Sequence, residues 1–80
     1  MITFIEQRDP GHTIYILDGI GYNSRKAMTR EGWTWIRGVG CRGCWQAPDY
    51  QTWNHVLQCM RNLPYRVMVY QNGQWKEATP

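Results

Sequence analysis

Pro48-Asp49-Tyr50-Gln51-Thr52-Trp53-Asn54-His55-Val56-Leu57-Gln58-Cys59-Met60-Arg61-Asn62-Leu63 carries the clearest period in the chain. Its apolar residues, Tyr50, Trp53, Val56, Leu57, Met60 and Leu63, recur at spacings of three and four, which gathers them on one stripe of an α-helix. Pro48-Asp49 opens the helix and Pro64 ends it, so the spacing predicts a helix running to about Leu63. One apolar stripe needs a surface to bury against. The flanking segments read as the strands that supply it.

Downstream, Arg66-Val67-Met68-Val69-Tyr70 is strand-like, and Asn72-Gly73 is a type I′ turn signal leading into Gln74-Trp75-Lys76-Glu77. Upstream, Trp33-Thr34-Trp35-Ile36-Arg37 has strand composition, and the glycine-rich turn 38–43 returns it into Cys44-Trp45-Gln46-Ala47. Further back, Ile2 to Gln7 and Thr13 to Leu17 flank the turn residues Asp9-Pro10-Gly11, a hairpin by the same logic. Asp18-Gly19-Ile20-Gly21 breaks that second strand. Asn23 or Ser24 then caps a short helix, Arg25 to Glu31, which Gly32 stops. The expected architecture is α+β: an antiparallel sheet of about six strands in ββ-α-ββ-α-ββ order, with two helices on one face. The expected organisation is a single compact domain, 1–80.

Eighty residues, 42% apolar and 19% charged, are too rich in hydrophobes for disorder and too few for a two-domain enzyme. Eleven aromatics, five of them Trp, exceed what so thin a core hides, which points to an exposed binding surface. Trp35, Trp45 and Trp53 are expected in the core and Trp33 nearer the surface. The longest apolar runs are a few residues, as in Ile14-Tyr15-Ile16-Leu17, far short of a membrane span, and the first residues lack the pattern of a secretory signal. The expected compartment is the cytoplasm, with no membrane partner and the cysteines kept as thiols or metal ligands.

Charge is segregated. Residues 1–24 carry a balance of −2, whereas residues 25–66 carry Arg25, Lys26, Arg30, Arg37, Arg42, Arg61 and Arg66 against Glu31 and Asp49, a balance of +5. Most of these cations are Arg, whose planar fork suits phosphate and carboxylate and stacks on aromatic rings. An ordinary solvated face is the plain alternative.

Within residues 13–48, Thr13 to Leu17 form a strand, Arg25 to Arg30 a basic helix, Gly32-Trp33-Thr34-Trp35 a Gly-x-x-Trp element, and Trp45 with Pro48 a return strand. In this order the stretch resembles a short module of phage, plasmid and other mobile-element proteins, and loosely the small anti-CRISPR-type phage proteins. Ile36 and Cys44 stand where that module usually has an acidic residue and a Lys or Arg. The resemblance implies a nucleic-acid-associated or anti-defence module without catalytic activity. Physically, Gly32 suits a tight helix-to-strand turn, and Trp35 and Trp45 suit a cross-strand aromatic pair.

Cys41-x-x-Cys44 followed by His55-x-x-x-Cys59 has the spacing of a structural zinc site, two ligands from a knuckle and two from one helical flank. Plain buried thiols, and a Cys41–Cys59 or Cys44–Cys59 disulfide, are the alternatives. The expected cofactor is none, with one structural zinc as the alternative. Catalysis is not expected: there is one serine, no phosphate loop and no paired acids, and a Cys44–His55 nucleophile pair lacks room for a cleft.

Two functions remain. The favoured one is a non-enzymatic anti-defence inhibitor that binds a host defence protein complex and blocks its nucleic-acid binding. The other is direct binding of DNA or RNA, with Arg25, Lys26, Arg30, Arg37 and Arg42 on phosphates and Tyr22 or Trp33 stacking on bases. The chain is expected to be a monomer, or a homodimer through an exposed hairpin edge.

Overall fold

The computed structural model describes residues 1–37 and 43–78. In chain order the elements are β1 (Ile2–Asp9), β2 (His12–Asp18), a 3₁₀ turn (Tyr22–Ser24), α1 (Arg25–Arg30), β3 (Thr34–Ile36), β4 (Cys44–Gln46), α2 (Tyr50–Cys59), β5 (Tyr65–Gln71) and β6 (Gln74–Glu77). The strands form one six-stranded sheet in the order β3-β4-β2-β1-β5-β6.

Local turn chemistry accounts for the hairpins. Pro10-Gly11 joins β1 to β2, with Asp9 opposite His12 and Gly11 at φ 89°, a value that a side chain disfavours. Asn72 and Gly73, both at positive φ, form the tight turn between β5 and β6 and set Gln71 opposite Gln74. The expected antiparallel sheet is corrected to a mixed one, because β1 pairs with β5 in parallel, Ile2 beside Tyr65 through Arg8 beside Gln71. The reason is the crossover. After β4 the chain runs along α2 over the sheet, so β5 enters on the open side of β1 in β1's own direction.

The sheet has two unlike faces. Phe4, Leu17 and Trp45 project toward the helices and form the main core with Trp33, Ala47 and Trp53, and Met28 of α1 and Val56, Leu57 and Met60 of α2 pack against it. Ile5, Ile16 and Cys44 project the other way, beside Ile14, Ile36 and Met68. Trp53 is the anchor of α2. Its ring meets Phe4 edge-on at 5.7 Å, and its indole N–H donates to the Ile16 carbonyl at 2.9 Å. The helix begins where the Asp49 side chain accepts the Thr52 N–H at 2.7 Å. It ends at Cys59, a turn earlier than expected, and Leu63 is 56% exposed and off the buried stripe. Pro64 disfavours helical backbone at Leu63, so the last residues unwind into turns.

Candidate functional site

The candidate site lies on α1 and the turn before it, beside the β3–β4 end of the sheet. In a helix each residue advances by about 100°, so Lys26 and Arg30 fall on the side opposite Met28, the residue that packs inward. Both are exposed. Arg25 falls on the flank, and its guanidinium carbon lies 5.1 Å from the centre of the Tyr22 ring, within cation–π range.

Tyr22 links these cations to the core. Its ring meets Trp35 edge-on at 5.3 Å and lies parallel to Trp45 at 6.3 Å, yet the residue remains 53% exposed. Trp35 and Trp45 stand opposite each other across β3 and β4, ring centres 4.9 Å apart, as the cross-strand pairing anticipates. The indole N–H of Trp45 donates to the Gly21 carbonyl at 3.4 Å, which holds the segment leading into Tyr22 against the sheet. The exposed tyrosine therefore rests on a rigid base.

Ion pairing separates these cations from Arg8 and Arg66, although Arg61 and Lys76 also lack a carboxylate partner among the described residues. Among the described residues, Arg8 pairs with Glu6 at 2.6 Å, His12 lies 3.7 Å from Asp9, and Arg66 pairs with Glu77 at 3.2 Å. Arg25, Lys26, Arg30 and Arg37 have no carboxylate partner among the described residues. With Glu31 as the one carboxylate within α1 and its end, the segment 25–31 keeps a net positive charge.

Trp33 is corrected from surface candidate to core residue, being 3% exposed. Gly32, at φ 91°, closes α1 with its N–H donating to the Thr29 carbonyl, and the Trp33 N–H donates to the Met28 carbonyl. That paired closure turns the chain back at the glycine, and Trp33 enters the core cluster against which Met28 packs. The glycine at the helix end was the signal for burial. Arg37 is exposed just after β3, and Arg42 lies outside the described residues.

The zinc constellation is not brought together. Cys44 is fully buried on the helix-free face of the sheet and is disulfide-bonded. His55 and Cys59 are exposed on α2, across the sheet, with Nε2 and Sγ 3.7 Å apart. Cys41 lies outside the described residues. Cys59 is a free thiol, so neither disulfide pairing that involves it is formed. The same separation parts Cys44 from His55 as a nucleophile and base. Among the described residues no cluster of three or more His, Cys, Asp or Glu side chains stands ready to hold a metal, and no helix is long and apolar enough to cross a membrane.

One carboxyl is displaced from its ordinary acidity. The Thr52 backbone N–H, aided by the Thr52 side chain, stabilises the Asp49 carboxylate and lowers its pKa below the usual 3.8. This is the mark of a helix cap. Neither a known protein family, nor a curated protein, nor a solved structure matches the chain.

Proposed function

We propose that the chain is a small non-enzymatic binding module that contacts a nucleic acid directly through the α1 face. The observation that carries this reading is the set of Arg25, Lys26, Arg30 and Arg37, exposed and without a carboxylate partner among the described residues, with Arg25 over an exposed Tyr22 ring that packs on Trp35 and Trp45. Uncompensated cations release counterions when they meet phosphates, and a buttressed aromatic ring stacks on an unpaired base at little entropic cost. The preferred ligand is therefore a single-stranded segment. Fluorescence anisotropy with labelled single- and double-stranded oligonucleotides at low salt tests it. Saturable binding that weakens with salt is expected, and no binding to any DNA or RNA removes the reading.

The anti-defence reading is the second, and one observation favours it. The residues that carry the resemblance to the mobile-element module lie in β2, α1, β3 and β4, beside the same basic face. In that reading the same basic face meets an acidic protein surface of a nucleic-acid-targeting complex. Its test is affinity capture of a nucleic-acid-handling complex from host lysate by the wild type and not by the Lys26→Glu, Arg30→Glu variant. Equal capture by both removes it.

A further inference from the structure

We propose that β6 is a self-pairing edge, and that two copies of the chain join through it in antiparallel fashion with Trp75 opposite its own copy. The sheet ends at β6, and Gln74, Trp75, Lys76 and Glu77 are all exposed. The two-residue turn makes Gln71 and Gln74 a hydrogen-bonded pair, and the Ala78 N–H donates to the Val67 carbonyl at 2.7 Å. Alternation along a strand then directs the backbone groups of Gln74, Lys76 and Ala78 toward β5 and those of Trp75 and Glu77 outward. An outward row of donors and acceptors is a template for another strand.

Charge and side-chain parity select the occupant and the register. Residues directly opposite in an antiparallel pair share a face, so a two-fold pairing has to centre on a residue. Centring on Lys76 sets lysine against lysine, and centring on Glu77 sets carboxylate against carboxylate. Centring on Gln74 keeps like charges apart but leaves the exposed Trp75 opposite Gly73, whereas centring on Trp75 sets Lys76 opposite Gln74 and Glu77 opposite Gly73, with no like charges facing and the two tryptophans paired. It also matches the outward-directed backbone groups of Trp75 with their own copies. Trp75, 42% exposed, already packs on Tyr70 with ring centres 4.9 Å apart, so the pairing extends this into a Tyr-Trp-Trp-Tyr row on the helix-free face. In this register a second copy meets the edge with no like charges facing and with its exposed tryptophan against an exposed tryptophan. Because the two-fold axis stands perpendicular to the sheet, the helices of both copies lie on the same side.

Four residues make a small contact beside a standard interface of roughly 1,600 Å². Association is accordingly weak, filling between about 10 µM and about 1 mM protein. Sedimentation equilibrium over that range reads it directly, as an apparent mass that rises from one chain toward two. Trp75→Lys places like charges opposite each other at the two-fold, and that variant stays at one-chain mass at every concentration, with an unchanged circular dichroism spectrum. For the register, Trp75→Cys in a Cys59→Ser background cross-links into a dimer on mild oxidation, and Lys76→Cys in the same background does not. A wild-type chain that stays monomeric at the highest concentration overturns the proposal, as does self-association of Trp75→Lys equal to wild type. Equal cross-linking at both positions overturns the register. The readout is mass, so the outcome is independent of the nucleic-acid reading.

Discussion

Replacing Lys26 and Arg30 together by alanine removes two of the four cations assigned to the site and touches nothing in the core, because both side chains point away from Met28. The expected loss follows from counterion release. On single strands the logarithm of the binding constant falls against the logarithm of salt with a slope of about −0.7 per phosphate neutralised, so four contacts give about −3 and two give about −1.4. Between about 50 and 200 mM salt the wild type then loses about 50-fold in affinity and the double variant about sevenfold. At the low end of that range the variant binds roughly 65-fold more weakly than the wild type if both converge near 1 M salt. The assay is anisotropy of a labelled oligonucleotide at four or more salt concentrations, with thermal melts alongside. Surface substitutions of this kind move stability by no more than about 0.5 kcal/mol, so a large affinity loss with an unchanged melt belongs to the site. A double variant with the wild-type slope and affinity would show that α1 does not touch the ligand, and the reasoning from unpaired cations would fail.

Further outcomes follow from the same geometry. Tyr22→Leu keeps an apolar contact with Trp35 and Trp45 but loses the stacking ring, and oligonucleotide affinity should fall by about 1 to 3 kcal/mol with the salt slope unchanged; equal affinity would exclude Tyr22 as a platform. Trp53→Ala vacates the centre of the core and orphans the Ile16 carbonyl, a cost of about 3 to 5 kcal/mol readable by denaturant titration, against a total stability of only about 4 to 12 for a domain this size. Because the folded pKa of Asp49 is depressed, its cap contributes stability above pH 3.8 that is lost as pH falls through the lower folded value. Asp49→Asn keeps a capping acceptor and should remove that acid step, whereas Asp49→Ala should lower the melting temperature at neutral pH as well. Chelation with EDTA should leave the melt unchanged, since Cys44 lies across the sheet from His55 and Cys59, and a large drop would contradict that placement.

What could be read in the chain was what short-range chemistry determines. The Pro10-Gly11 and Asn72-Gly73 turns and the three-four spacing of Trp53, Val56, Leu57 and Met60 need only neighbouring residues to be understood. The parallel pairing of β1 with β5 joins segments about sixty residues apart, and no local pattern encodes which edge a later strand will find. Composition points Trp33 to the surface, whereas the Gly32 closure of α1, with the Trp33 N–H on the Met28 carbonyl, delivers it into the core that Met28 also packs against. The cysteine spacing suggested a metal site because spacing along the chain carries no information about faces: Cys44 and Cys59 project to opposite sides of one sheet. The basic helix was legible as a run of cations. Which of them are neutralised was not, because ion pairing such as Arg66 with Glu77 depends on strand register.

The most direct test is to locate the ligand on the folded chain by backbone amide shift mapping as a single-stranded oligonucleotide is added at low salt. The α1-face account predicts that the perturbed amides cluster at residues 22–30 and along Thr34 to Arg37, with β6 and the β1–β2 turn unmoved. Shifts confined to those distant segments, or none at millimolar oligonucleotide, would contradict it.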